Sequence, residues 1–192
     1  FSEAGIENVE TSQSPGSSYL QTYLTNLSPM LFASSDKGDI ISSLDAMQIS
    51  GATRIHVGLM WGWFTLSPKW QSLWDGRPLP LTTGAKRFKY LVLMTDGRNF
   101  FDADEAGSWT IDENPVTAET CTAIKASGIT VYTIGYGEAG DLDQTLLANC
   151  ASDSGNYFFA PDSATLKRAF KTVADKNIVK INGIEYPVEV RR

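Results

Sequence analysis

An α/β fold, a doubly wound and mainly parallel sheet with helices on both faces, is what the sequence predicts, and three features predict it. Tyr90-Leu91-Val92-Leu93-Met94-Thr95 runs almost without polar interruption and stops at Asp96-Gly97, the form of a strand buried on both faces whose carboxyl end opens into a turn. Ile129-Thr130-Val131-Tyr132-Thr133-Ile134 repeats the pattern and stops at Gly135. Helical periodicity separates and follows these runs, and alternation of that kind points to a parallel sheet covered on both sides.

Residues 1–18 are rich in Ser, Glu and Gly, and Ser14-Pro15-Gly16-Ser17-Ser18 reads as irregular loop. Tyr19 to Met30 is ambiguous between periods, and Pro29 closes it. From there the pattern clears. Ile40, Ile41, Leu44 and Met47 fall at helical spacing behind Ser34, Ser35 and Asp36 as candidate N-caps, which predicts a helix from about Lys37 to Gln48. Ser50-Gly51-Ala52-Thr53 breaks it, and Ile55, Val57, Leu59 and Met60 begin a second helix that the Thr53 hydroxyl is placed to cap. His56 lies on that helix with no evident catalytic partner and reads as packing or surface. Trp61-Gly62-Trp63 leads into a Trp-, Gly- and Pro-rich connection reaching Thr83, with the tryptophans as packing anchors.

The strand at Tyr90 delivers Asp96 to a rim. Ligands of open α/β sheets collect outside the carboxyl ends of the strands, so Asp96 is a candidate binding residue as well as a turn former. Arg98 to Asn114 carries Asp102, Asp104, Glu105, Asp112 and Glu113 and reads as a long acidic loop on the same rim. Within it, Asp102 to Glu113 places carboxylates and a glycine as an EF-hand calcium loop does, but Ala106 stands at one ligand position and a strand precedes it, which favours a solvated acidic loop.

Asn114-Pro115 starts the next helix and Ser127-Gly128 stops it. After the strand at Ile129, Gly135-Tyr136-Gly137-Glu138-Ala139-Gly140 matches the dinucleotide glycine fingerprint, with Asp162 beyond the strand at Tyr157–Ala160 as its acid. This makes a dinucleotide-binding enzyme the alternative reading. Glu138, Asp141 and Asp143 weigh against it, because they stand where a pyrophosphate needs positive potential. Asp162 to Lys176 forms the last amphipathic helix, and Ile178 to Val190 alternates around Asn182-Gly183 as a terminal hairpin.

At 192 residues one domain is expected, and the composition, 42% hydrophobic and 20% charged, is that of a globular protein without an apolar stretch long enough to span a membrane. The chain opens on Phe1 without a basic leader, so targeting information is expected elsewhere in a parent protein. A net charge of -6 without a dense Lys/Arg run argues against nucleic acid and anionic lipid. No Ser–His–Asp pattern is visible, and a phosphoryl-transfer nucleophile at Asp96 lacks a second carboxylate beside it. Cys121 and Cys150 are too few for a zinc site and leave two readings, a disulfide stapling neighbouring helices or two buried thiols.

Gly51-Ala52-Thr53 before a helix, followed by Leu91-Val92-Leu93-Met94-Thr95-Asp96-Gly97, resembles the second and third motifs of a von Willebrand factor type A domain, a Rossmann-like fold. Trp61-Gly62-Trp63-Phe64-Thr65-Leu66-Ser67-Pro68, Cys121-Thr122-Ala123-Ile124-Lys125, Val131-Tyr132-Thr133-Ile134-Gly135 and Leu146 to Ser152 resemble one branch of it, the TadG-like proteins of tight-adherence (Flp-type) pilus assembly. The resemblance covers about residues 28–177. It implies a non-enzymatic adhesion or assembly module on the periplasmic or cell-surface side of a bacterial inner membrane. The tether lies outside this chain, the partner is a pilus or envelope protein, and Cys121 is paired with Cys150. It also implies a metal-ion-dependent adhesion site at the top of the sheet, of which Thr53 and Asp96 match two motifs. The Asp-x-Ser-x-Ser motif is absent. A partial site of two ligands is expected to hold magnesium, manganese or calcium only weakly. The domain over 1–192 is therefore expected to be N-terminally incomplete, with 178–192 as a terminal extension. Its strand at Tyr90 then has an edge that the N-terminal residues, a partner chain or a segment of the parent protein must cover.

Overall fold

The computed structural model describes residues 36–47, 53–69, 88–97, 99–102, 110–176, 179–181 and 184–186. Within them β1 (Lys89–Thr95), β4 (Ile129–Tyr136) and β5 (Tyr157–Ala160) form a parallel sheet in the order β1-β4-β5. The register runs from Lys89 opposite Ile129 to Thr95 opposite Gly135, so both long strands end on one rim. The α/β class is as the alternating pattern predicts.

Side-chain alternation sends the residues of β4 to opposite faces, and each face has its own cover. On one side Ile129 and Val131 meet α2 (Ile55–Leu66), α3 (Asn114–Ala126) and α4 (Gln144–Cys150), with Leu59, Trp63, Leu91, Cys121, Ile124 and Cys150 in one core. The close approach of α2 to β1 depends on Gly62, whose absent Cβ would lie 3.1 Å from Leu91 Cδ1. Trp63 is buried as an anchor, whereas Trp61 remains exposed and meets Phe64 edge-on. On the other side Ile134 packs with Ala160 and with Ala169 of α5 (Ser163–Lys176).

That second cover stops short of β1. Tyr90 rests near Tyr132 and Phe88 stacks on Tyr90, but Val92 and Met94 are 40% and 43% exposed. The strand is therefore not buried on both faces, as its apolar run predicts. An unbroken apolar sequence shows that a strand expects two covers, not that both are supplied. Among the described residues no strand pairs with the outer edge of β1.

The first helix, α1 (Lys37–Asp45), begins where Asp36 Oδ1 accepts the N–H groups of Gly38 and Asp39, so Asp36 is the cap among the three candidates. It ends at Asp45, short of the expected Gln48, and Ile40, Ile41 and Leu44 along it are exposed. Within the acidic segment, read from the sequence as loop, lies an antiparallel pair, β2 (Phe100–Asp102) with β3 (Thr110–Asp112). The terminal hairpin is present as β6 (Val179–Ile181) with β7 (Ile184–Tyr186), Ile181 opposite Ile184. The expectations for residues 1–35, for the aromatic connection at 70–87, for most of the EF-hand-like loop and for the Asn182-Gly183 turn lie outside the described residues.

Candidate functional site

The rim begins with a turn that the sequence encodes locally. Thr95 is buried at the end of β1, and its hydroxyl accepts the Gly97 N–H at 3.3 Å and reaches the Gly97 carbonyl at 3.2 Å, which fixes the bend and leaves Asp96 exposed at its apex. Thr53 comes to the same place from the other side. A Cβ on Gly97 would lie 3.0 Å from Thr53 Oγ1, so the loop carrying Thr53 presses against the residue after Asp96. The two residues picked out in the sequence thus stand on adjoining loops. A side chain at 97 would push the Thr53 hydroxyl away by a few tenths of an ångström.

Thr53 does not cap α2, contrary to the expectation from its position. Arg54 occupies the cap and makes no side-chain capping bond. The first helical N–H, that of Ile55, is instead accepted by Asn99 Oδ1 at 2.9 Å, from the loop after β1. A side chain distant in sequence outcompetes the local hydroxyl, which frees Thr53 to face Gly97. Asn99 Nδ2 donates to Thr117 Oγ1 at 2.8 Å and to Asn114 Oδ1 at 3.2 Å, and Asn114 in turn donates to Asp143 Oδ2 at 2.8 Å. Asp143 Oδ1 accepts the Leu146 N–H and caps α4. One line of hydrogen bonds therefore joins the N-terminal turns of three helices beneath the rim.

Beside it lies an ionic cluster. Arg54 donates from Nε (3.1 and 3.2 Å) and from Nη2 (2.7 Å) to the buried carboxylate of Glu113, just ahead of Pro115 and the start of α3. His56 Nδ1 is 3.3 Å from Glu113 Oε2, yet buried and without a hydrogen bond, because the approach is close but misaligned. Burial pushes the imidazole pKa down, the Glu113 charge opposes this and Arg54 adds to it, so the ring is neutral at pH 7. His56 is thus a packed residue, as its sequence context predicts. Asn99 and Glu113 were not distinguishable in the sequence from a solvated loop. The one available signal was position, an Asn shortly after the Asp-Gly turn and a Glu immediately before a helix-starting Asn-Pro.

Away from the rim, Cys121 and Cys150 form a disulfide with Cα atoms 5.2 Å apart, in the core between α3 and α4. Lys125 reinforces the same joint by donating to the Asn149 and Ala151 carbonyls at 2.7 and 3.3 Å.

The glycine turn after β4 is explained by packing. A Cβ at Gly135 would meet Leu142 and Leu147 side-chain atoms at 3.0 Å each, while Gly137 has φ +115°, a conformation that favours glycine. The helix beyond it already has the Asp143 carboxylate at its N-terminus, where a pyrophosphate would sit. Asp162 caps α5 by accepting the Thr165 N–H at 2.7 Å, and that bond holds its carboxyl below the ordinary range. Among the described residues no group of three or more His, Cys, Asp or Glu side chains is placed to hold a metal.

No protein-family model matches the chain, and no curated protein matches it. Solved structures do. The pilus adhesin SpaC from Lactobacillus rhamnosus GG, in its open conformation, aligns with a TM-score of 0.50 at 15% identity over 72% of this chain and 20% of that one. Proximal thread matrix protein 1 from the mussel byssus, in a structure with a zinc-occupied MIDAS motif, aligns with a TM-score of 0.46 at 21% identity over 73% of this chain and 28% of that one. A further structure of the same byssus protein gives 0.47 at 22% identity over 71% and 30%. The chain spans under a third of the length of these proteins. The similarity to SpaC is one of fold, a three-stranded parallel sheet with flanking helices.

Proposed function

We propose that this chain is an extracytoplasmic protein-interaction module of the von Willebrand A-like adhesion type, belonging to a tight-adherence (TadG-like) pilus assembly protein and binding its partner through the rim at Thr53 and Asp96. The carrying observation is the seating of Thr53 against Gly97, directly after Asp96, at the carboxyl end of the parallel sheet. Two segments distant in sequence thus meet at a rim where the Thr53 hydroxyl touches the residue that follows the exposed Asp96, which supports a binding role for the pair. The fold likeness to a pilus adhesin and the disulfide, which belongs to oxidising compartments, support the same reading. The motifs quoted for TadG-like proteins support the narrower assignment.

Thr53 and Asp96 are hard oxygen donors of the kind magnesium takes, but two donors fall short of an octahedral shell. A cation here would be held by Thr53 and Asp96 together with oxygens from water or the partner, and would offer that partner's carboxylate a positive contact. The chain's own part is to keep the half-buried Thr53 hydroxyl against the loop that carries the exposed Asp96.

Surface plasmon resonance against purified pilin and assembly proteins of a tight-adherence system tests this, with and without magnesium. Loss of at least about tenfold in affinity, ~1.4 kcal/mol, is expected in both Asp96→Ala and Thr53→Ala. Affinity unchanged in both variants, or tight nicotinamide or flavin binding followed by tryptophan fluorescence, overturns the reading.

A further inference from the structure

Among the described residues no hydrogen bond joins Thr53 or Asp96 to the other's loop; a third residue links the two. Asn99 is 4% exposed, and its amide serves three residues on two helices, accepting from Ile55 at the start of α2 and donating to Thr117 and Asn114 at the start of α3. Which end of the amide faces α2 is set by chemistry, because a backbone N–H can be met only by the oxygen. The spacing is symmetrical. Asn99 lies two residues after Gly97, and the Ile55 it holds lies two residues after Thr53. The Asn99–Ile55 hydrogen bond and the Thr53–Gly97 contact therefore join the same two segments at points two residues apart in each. Two junctions so near each other in sequence restrain one another.

We infer that Asn99 is the positioning residue of the rim: its bond to the Ile55 N–H holds Thr53 against Gly97, and so sets the spacing of Thr53 from Asp96. The Arg54 grip on Glu113 secures the middle of the same segment to the start of α3, whereas the Asn99 bond to Ile55 links it to the loop after β1. The functional consequence rests on the rim reading above; the geometric claim does not.

The test is nuclear magnetic resonance on the unliganded chain, which requires no partner. In the wild type a nuclear Overhauser effect is expected between Thr53 side-chain protons and Gly97 Hα, with the Ile55 amide protected from exchange. Asn99→Ala is expected to abolish the first and speed exchange at Ile55 by about a hundredfold or more, with Val131 in β4 still protected. Thr117→Val removes a different bond of the same amide and is expected to leave the Thr53–Gly97 signal intact, which a merely stabilising role would not predict. Asn99→Asp keeps an acceptor for Ile55 and is expected to keep the signal; it decides the matter where Asn99→Ala fails to fold. The inference is overturned by an undiminished signal in folded Asn99→Ala, by equal loss in Thr117→Val, or by loss in folded Asn99→Asp. Partner affinity retained in an Asn99→Ala protein whose Thr53 has moved would instead remove the rim reading and leave the positioning role standing.

Discussion

Replacing Glu113 with glutamine measures how firmly the arm carrying Thr53 is attached to the body of the domain. The wild-type carboxylate receives two guanidinium nitrogens of Arg54, the closest at 2.7 Å, and the two side chains differ in setting, 8% exposed for Glu113 against 38% for Arg54. Removing one member of a fully buried pair costs about 3–5 kcal/mol, because the other is stranded. A surface pair contributes about 0–1 kcal/mol. Here the surviving guanidinium can turn outward to water and glutamine keeps one acceptor, so the loss falls between these limits at about 2 kcal/mol. In a chain of 192 residues this lowers the melting temperature by about 4–8 °C. Thermal and urea unfolding at pH 7 give the stability, and a double-mutant cycle with Arg54→Ala gives the coupling, expected near 1–2 kcal/mol. Glu113→Gln also removes the charge that raises the His56 pKa, so the imidazole should titrate lower still. A stability loss below about 0.5 kcal/mol with no coupling to Arg54 would refute the clamp.

The remaining expectations are simpler. The Cys121–Cys150 bond closes a separation of 29 residues, and the chain-entropy estimate gives about 3–4 kcal/mol of stability, to be read as the loss in Cys121→Ala/Cys150→Ala by urea unfolding. Intact-mass measurement on unreduced protein should find no free thiol. Gly135→Ala should cost about 1–3 kcal/mol by the same assay, since the new methyl meets the buried Leu142 and Leu147 side chains at 3.0 Å each. The folded pKa of His56 lies below its unfolded value, so between the two the unfolded chain binds more protons. Stability from this residue is complete above about pH 6.5 and is lost as the pH falls toward the folded value. His56→Gln should flatten that part of the pH profile, and an unchanged slope would show that other groups produce it.

The sheet and its helices were legible in the sequence because period and punctuation are local properties. Asp36, Pro115 and Gly128 marked helix ends, and the apolar run at Ile129 marked a strand that is indeed enclosed. The exposed face of β1 was not legible, since Val92 and Met94 carry the same composition whether or not a helix crosses them. Nor was the polar layer. Asn99 and Glu113 take their roles from partners 44 and 59 residues away, and no pattern within their own segment records those distances. Thr53 shows both sides of this. Its resemblance to a motif placed it at the rim, whereas the rule for helix caps misplaced its hydroxyl, because a long-range acceptor had already taken the helix's first donor.

The disulfide also governs what a protease can accomplish here. The exposed turn at Ala139–Asp141 offers a cleavage point that falls inside the interval spanned by the bonded cysteines. A cut there yields two pieces that still migrate as one band, and only reductant parts them. Damage at that turn would thus leave both parts of the domain covalently joined.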